Sequence, residues 1–183
     1  MDCWIRKGFT KAGAGEDGKL SREQFGAAWK QLEADGEMVR RDHFKCNVHK
    51  VWGDKEVTYE ELWALIADDM FEEENFVKKF DNMYEDLVKL LTSAEHEDAT
   101  ELQSEEIMNL DPIMKMNRLF RAFDLDTDGF ISKEELAGIW KMMNANFQVQ
   151  SFMEYWNHIT GEMTGKINYF EACLSMMPFF YSL

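Results

Sequence analysis

Apolar residues recur along this chain at spacings of three and four, the period of helices with one buried face. Tyr59, Leu62, Trp63, Ile66 and Met70 make one stripe, and Phe76, Phe80, Met83, Leu87 and Leu91 a second. Leu136, Ile139, Trp140 and Met143 make a third, and Phe152, Tyr155, Trp156 and Ile159 a fourth. No segment alternates apolar and polar residues convincingly, so the pattern predicts an all-α class. "DPIMK" predicts a helix start, with Asp111 as N-cap and Pro112 in the first turn, where its missing N–H costs nothing. Between two stripes, "TSAEHEDATELQSEE" (92–106) is polar and acidic and predicts a linker dividing the chain into halves.

The stretch "AFDLDTDGFISKEEL" (122–136) breaks the helical pattern with a different one. Oxygen side chains fall at alternate positions, a glycine follows the third, and a glutamate lies six residues beyond it. Calcium takes six to eight oxygen ligands, and a twelve-residue loop can supply them from positions 1, 3, 5, 7, 9 and 12. Those positions hold Asp124, Asp126, Asp128, the backbone carbonyl of Phe130, Ser132 (through water) and Glu135. Gly129 permits the sharp turn that folds the aspartates inward. Glu135, in the first turn of the next helix, can offer both oxygens, which suits calcium better than the smaller, octahedral magnesium; magnesium is the expected competitor. Met116, Leu119, Phe120 and Phe123 before the loop, and Leu136 and Ile139 after it, predict flanking helices.

Worn copies lie at helix-loop-helix spacing. "TGEMTGKINYFE" (160–171) keeps Gly165, Ile167 and Glu171 but has Thr160 in the first position; Glu162, Thr164, Lys166 and Asn168 fill the others. A structural loop is preferred there over a weak ion site. "GAGEDGKLSREQ" (13–24) keeps Asp17, Gly18 and Leu20, with Gln24 in place of the last carboxylate. "KVWGDKEVTYEE" (50–61) keeps Asp54, Val57 and Glu61 but puts Lys50 and Trp52 at ligand positions. Both are expected to be calcium-silent. A cryptic unit at "EHEDATELQSEE" (95–106) has Leu102 and Glu106 in register but lacks the glycine and has Ala99 at position 5.

These residues resemble the EF-hand superfamily, above all over Asp124 to Glu135 and less closely over Thr160 to Glu171. "CWIRKGF" leading into "DGKLSREQF", "LFRAFDLDTDGFISKEEL" before "KINYFEA", and the tail "MPFFYSL" look most like the sarcoplasmic calcium-binding protein and calexcitin-like branch. The resemblance implies paired helix-loop-helix units in two lobes packed into a compact unit. It also implies a short antiparallel contact within each pair, Leu20 with Val57 and Ile131 with Ile167. The expected organisation is an N-terminal pair over 1–72, a helix with an acidic linker or cryptic hand over 73–111, and a C-terminal pair over 112–183. Members of the family usually bind ions with two or three loops, and this chain has about one repeat more between its second and intact loops.

Composition narrows the partners. Twenty basic residues face 35 acidic ones, a net charge of −15. Nucleic acid and anionic membrane surfaces repel such a chain, whereas cations and basic helices attract it. Three cysteines, Cys3, Cys46 and Cys173, give no disulfide framework and fit a reducing compartment. "MDCWIRKGF" lacks the apolar core of a secretory signal, Asp2 excludes myristoylation, and no apolar run is long enough to span a bilayer. A cytoplasmic protein is expected. His43, Cys46 and His49 could share a helix face and suggest zinc, but no fourth ligand is near.

The sequence therefore predicts an intracellular, non-enzymatic calcium binder acting as buffer or signal carrier through Asp124, Asp126, Asp128, Phe130 and Glu135. One alternative is a sensor offering a methionine-rich groove to a basic amphipathic target helix; the thirteen methionines suggest it. Another is a calcium-regulated carrier of a buried aromatic, luciferin-like ligand beside Tyr155, Trp156 and His158. No constellation of nucleophile and base emerges.

Overall fold

The computed structural model describes residues 4–14, 17–34, 51–143, 146–160 and 165–181, and nearly all regular structure in them is helical. The elements are α1 (Trp4–Ala12), α2 (Arg22–Ala34), α3 (Tyr59–Phe71), α4 (Glu74–Ser93), α5 (Ala99–Leu102), α6 (Glu105–Met108) and α7 (Pro112–Arg121). After them come β1 (Phe130–Ser132), α8 (Lys133–Met143), α9 (Val149–Thr160), β2 (Lys166–Asn168) and α10 (Tyr169–Tyr181). The fold is all-α, as the apolar spacing predicts. His43, Cys46 and His49 lie outside the described residues, as do Lys50, Glu162 and Thr164.

One local device starts α2, α3, α8 and α10. Ser21 with Gln24, Thr58 with Glu61, Ser132 with Glu135 and Asn168 with Glu171 each form a reciprocal cap. The earlier side chain accepts from the backbone N–H of the later residue, at 3.3, 3.1, 3.3 and 2.8 Å respectively. The later side chain accepts from the backbone N–H of the earlier, at 2.7, 2.8, 2.8 and 3.0 Å. Two N–H groups that the helix leaves unpaired are satisfied at once. These pairs occupy the ninth and twelfth positions of all four loops. Asp111 caps α7 as expected, accepting from the Ile113 N–H at 2.9 Å.

The loops meet in pairs. Leu20 and Val57 exchange two backbone hydrogen bonds of 3.0 Å, and both are buried. β1 and β2 run antiparallel with Ile131 opposite Ile167, both buried. Around these contacts the apolar stripes close into one core. Phe170 of α10 is the meeting point: Trp63, Phe71 and Phe76 of α3 and α4 lie 5.8, 5.9 and 6.2 Å from its ring centroid. α7 packs against both α4 and α10. Lys115 of α7 is buried and donates to Asp81 of α4 at 2.5 Å.

The stretch expected as an acidic linker is folded. α5 and α6 lie within it and just beyond it, and Ala99, Leu102 and Ile107 are buried while Glu97, Glu101, Glu105 and Glu106 remain exposed. Tyr84 of α4 donates to the Leu102 carbonyl at 2.7 Å and fixes the segment to the core. A twelve-residue ion loop beginning at Glu95 would need open backbone where α5 is wound. The apolar positions were too sparse to read as a stripe, yet three suffice to seat two single-turn helices.

Candidate metal centre

The geometry at 124–135 follows from where α7 stops. The N–H groups of Phe123 and Asp124 both reach back to the Phe120 carbonyl at 3.0 Å, and Asp124 begins the loop almost fully buried. Its two oxygens accept from the backbone N–H groups of Asp128 at 3.2 Å and Gly129 at 2.8 Å. Asp126 accepts from the Asp128 N–H at 3.3 Å, and Asp128 from the Phe130 N–H at 2.9 Å. Gly129 has φ 87°, the left-handed conformation that a glycine adopts without a Cβ penalty. Thr127 has φ 56°, which strains a β-branched residue. Glu135 closes the loop from α8: one oxygen accepts from the Leu125 N–H at 2.7 Å, the other from Ser132 at 2.8 Å. Phe130 opens β1.

Asp124, Asp126 and Asp128 each offer an oxygen within 4.8 Å of the other two. Among the described residues, these are the His, Cys, Asp or Glu side chains grouped closely enough to hold one ion. The set is all oxygen, and it suits a hard divalent cation better than zinc. The three aspartates lie together, and Glu135 is folded back onto the same loop.

Two side chains of the paired loop, not anticipated from sequence, reach this cluster. The Tyr169 hydroxyl donates to Asp124 at 2.7 Å. The Lys166 ammonium contacts Asp128 and lies 3.4 Å from Asp126. Burial alone would push the Asp124 carboxyl up, but bonds from Tyr169 and the backbone outweigh it and hold it below the ordinary value. Lys166 holds Asp128 below its usual value, and Asp128 raises Lys166 in return. Asp124 and Asp128 are therefore ionised at neutral pH, two negative charges facing the one positive charge of Lys166. A lysine after the glycine of one loop, facing the aspartates of its partner, was a signal available from the register Ile131–Ile167.

Among the described residues, the other loops show no such convergence. At 160–171, the buried Thr160 hydroxyl donates to the Trp156 carbonyl at 2.8 Å, back into its own helix. Glu171 is engaged by Arg6 and Tyr59. At 50–61, Trp52 is buried and its indole N–H donates to the Lys55 carbonyl at 3.0 Å, so an apolar ring fills a ligand position. At 13–24, Asp17 accepts from the Lys19 N–H at 3.1 Å in a tight turn.

Residues 116–140 match the family model described as EF hand. The match runs from Met116 in α7 to Trp140 in α8 and so takes in the loop and both flanking helices. The match to this family, together with the aspartate cluster, suggests a divalent cation such as calcium. No curated protein matches the chain. Among the described residues, no helix is long and apolar enough to cross a membrane.

Proposed function

We propose that the chain is a non-enzymatic calcium-binding protein that acts as a cytoplasmic buffer or signal carrier, with its ion site in the EF hand at 124–135. The observation that carries this reading is the convergence of Asp124, Asp126 and Asp128 in the segment that matches the family, with Glu135 turned back onto the same loop. These four carboxylates and the Phe130 carbonyl would hold the ion, which supplies the positive charge that relieves their mutual repulsion. At an effective dielectric near 20, two carboxylates about 4 Å apart repel by up to roughly 4 kcal/mol. The chain's own residues prepare the site: Gly129 turns the aspartates inward, Tyr169 orients Asp124, and Lys166 offsets part of the charge until it is displaced.

A buffer is favoured over a sensor or a ligand carrier by the packing of the C-terminal helix. Phe179 lies 4.9 Å from the Trp140 ring and 5.5 Å from Tyr155, covering the apolar face between α8 and α9 with the chain's own tail. Tyr155 donates to the Ser175 carbonyl, Trp156 is buried in the core, and His158 is exposed. The resemblance to the sarcoplasmic calcium-binding protein branch belongs to the same proposal.

Isothermal calorimetry with calcium chloride, repeated with magnesium present, tests it. Calcium uptake is expected in the parent and lost in Asp124→Ala. A hundredfold excess of free calcium over the dissociation constant should add about 2.7 kcal/mol to unfolding stability. No heat at millimolar calcium, with the variant indistinguishable from the parent, would falsify the reading.

A further inference from the structure

Glu171 occupies the place in its loop that Glu135 occupies in the EF hand, yet its carboxylate is already saturated. The Arg6 guanidinium, from the first turn of α1, donates through one nitrogen to both oxygens at 3.0 Å each. Tyr59, at the start of α3, donates to the first oxygen, and the Asn168 N–H donates to the second at 3.0 Å. The glutamate side chain is 4 % exposed and the arginine 14 %. Arg6 also lies over the Tyr59 ring, 4.6 Å from its centroid. Its Nε is buried without a hydrogen-bond partner, so the guanidinium stays on Glu171 despite an unsatisfied donor. Asn168 adds a contact from the same loop to Glu60, at 3.1 Å.

From this geometry we propose that Glu171 is the docking site for α1, with the Arg6 guanidinium standing where a loop of this kind would otherwise take an ion. The second loop of the pair is then shaped by a cation the chain supplies itself. It holds the N-terminal helix against α3 and α10 at any calcium concentration and contributes no second ion site. A buried carboxylate and a partly buried guanidinium depend on each other, because removing either leaves the other desolvated and unpaired. The inference rests on the form of the loop and on the Arg6 contact, not on ion uptake at 124–135.

Hydrogen exchange of the full chain, read by mass spectrometry on a peptide covering 4–12, tests it in Arg6→Met, Glu171→Gln and the double variant. Each single change is expected to speed exchange of that helix about tenfold or more, and the double change no further than the larger single one. Arg6→Lys, which keeps a cation but can reach fewer acceptors, should fall between parent and Arg6→Met, and serves if Arg6→Met does not fold. Calcium chloride titration of the same proteins gives a separate readout, in which the parent and Glu171→Gln take up the same number of ions. Unchanged exchange in Glu171→Gln, losses that add in the double variant, or one ion fewer in Glu171→Gln would each overturn the proposal. A chain that took up no calcium at all, yet lost protection of α1 as described, would sink the functional reading and leave this one standing.

Discussion

The loops at 124–135 and 160–171 lie side by side, joined at Ile131 and Ile167, and each ends on a glutamate held by the same reciprocal cap. Beyond that they differ in where positive charge comes from. The first gathers three aspartates within reach of one ion, with a half-exposed lysine borrowed from its neighbour among them. The second begins with a threonine bonded back into its own helix and gives its buried glutamate to a partly buried arginine. One frame thus supports two solutions to the same electrostatic problem. A carboxylate drawn into a loop needs a counter-charge, and the chain can either leave that place for a cation from solution or fill it permanently. On the proposed function, the first place exchanges its cation with solution and the second does not.

The sharpest way to break this comparison is to neutralise each terminal glutamate in turn. Glu135→Gln should weaken calcium binding tenfold or more, because the position offers both oxygens to the ion, whereas the ion-dependent rise in melting temperature should survive Glu171→Gln. Differential scanning fluorimetry with and without calcium reads both, and equal loss in the two variants would erase the distinction. A middle-sized effect is expected at the caps. Asn168→Ala should cost about 1 kcal/mol in urea unfolding, by the same amount in calcium and in chelator, since its partners are all protein groups. A cost that appears only with calcium would tie the second loop to the ion after all. The smallest effect concerns the borrowed lysine. Lys166→Met should tighten calcium binding roughly threefold at low salt, and the gain should shrink as added salt screens the lysine. No change in affinity at low ionic strength would mean that Lys166 does not compete for the site.

Much of this architecture was legible in the residues. The stripes from Tyr59 to Met70 and from Phe76 to Leu91 are helical, and their apolar members line the core, because burial on one face imposes the period directly. The loop at 124–135 was readable because its side chains are consecutive and each position has a separate geometric duty. The contacts Leu20–Val57 and Ile131–Ile167 followed from the family resemblance. Arg6 and Glu171 could not be paired in advance, since they are 165 residues apart and long-range ion pairs leave no periodic trace. The four caps were within reach. Ser21–Gln24, Thr58–Glu61, Ser132–Glu135 and Asn168–Glu171 carry a local signature of helix starts, which coincides with the ninth and twelfth ligand positions of the loops. The acidic surface of 95–106 masked Ala99, Leu102 and Ile107, whose burial depends on the α4 surface supplied by the fold.

Phe170 carries one further consequence. Its ring sits among Trp63, Phe71 and Phe76, so a single side chain from near the end of the chain completes an aromatic nest built by the middle of it. A protease cut near Asn109 would leave one fragment with an open socket and the other with a bare plug. Mixed in solution, the two pieces should find each other again.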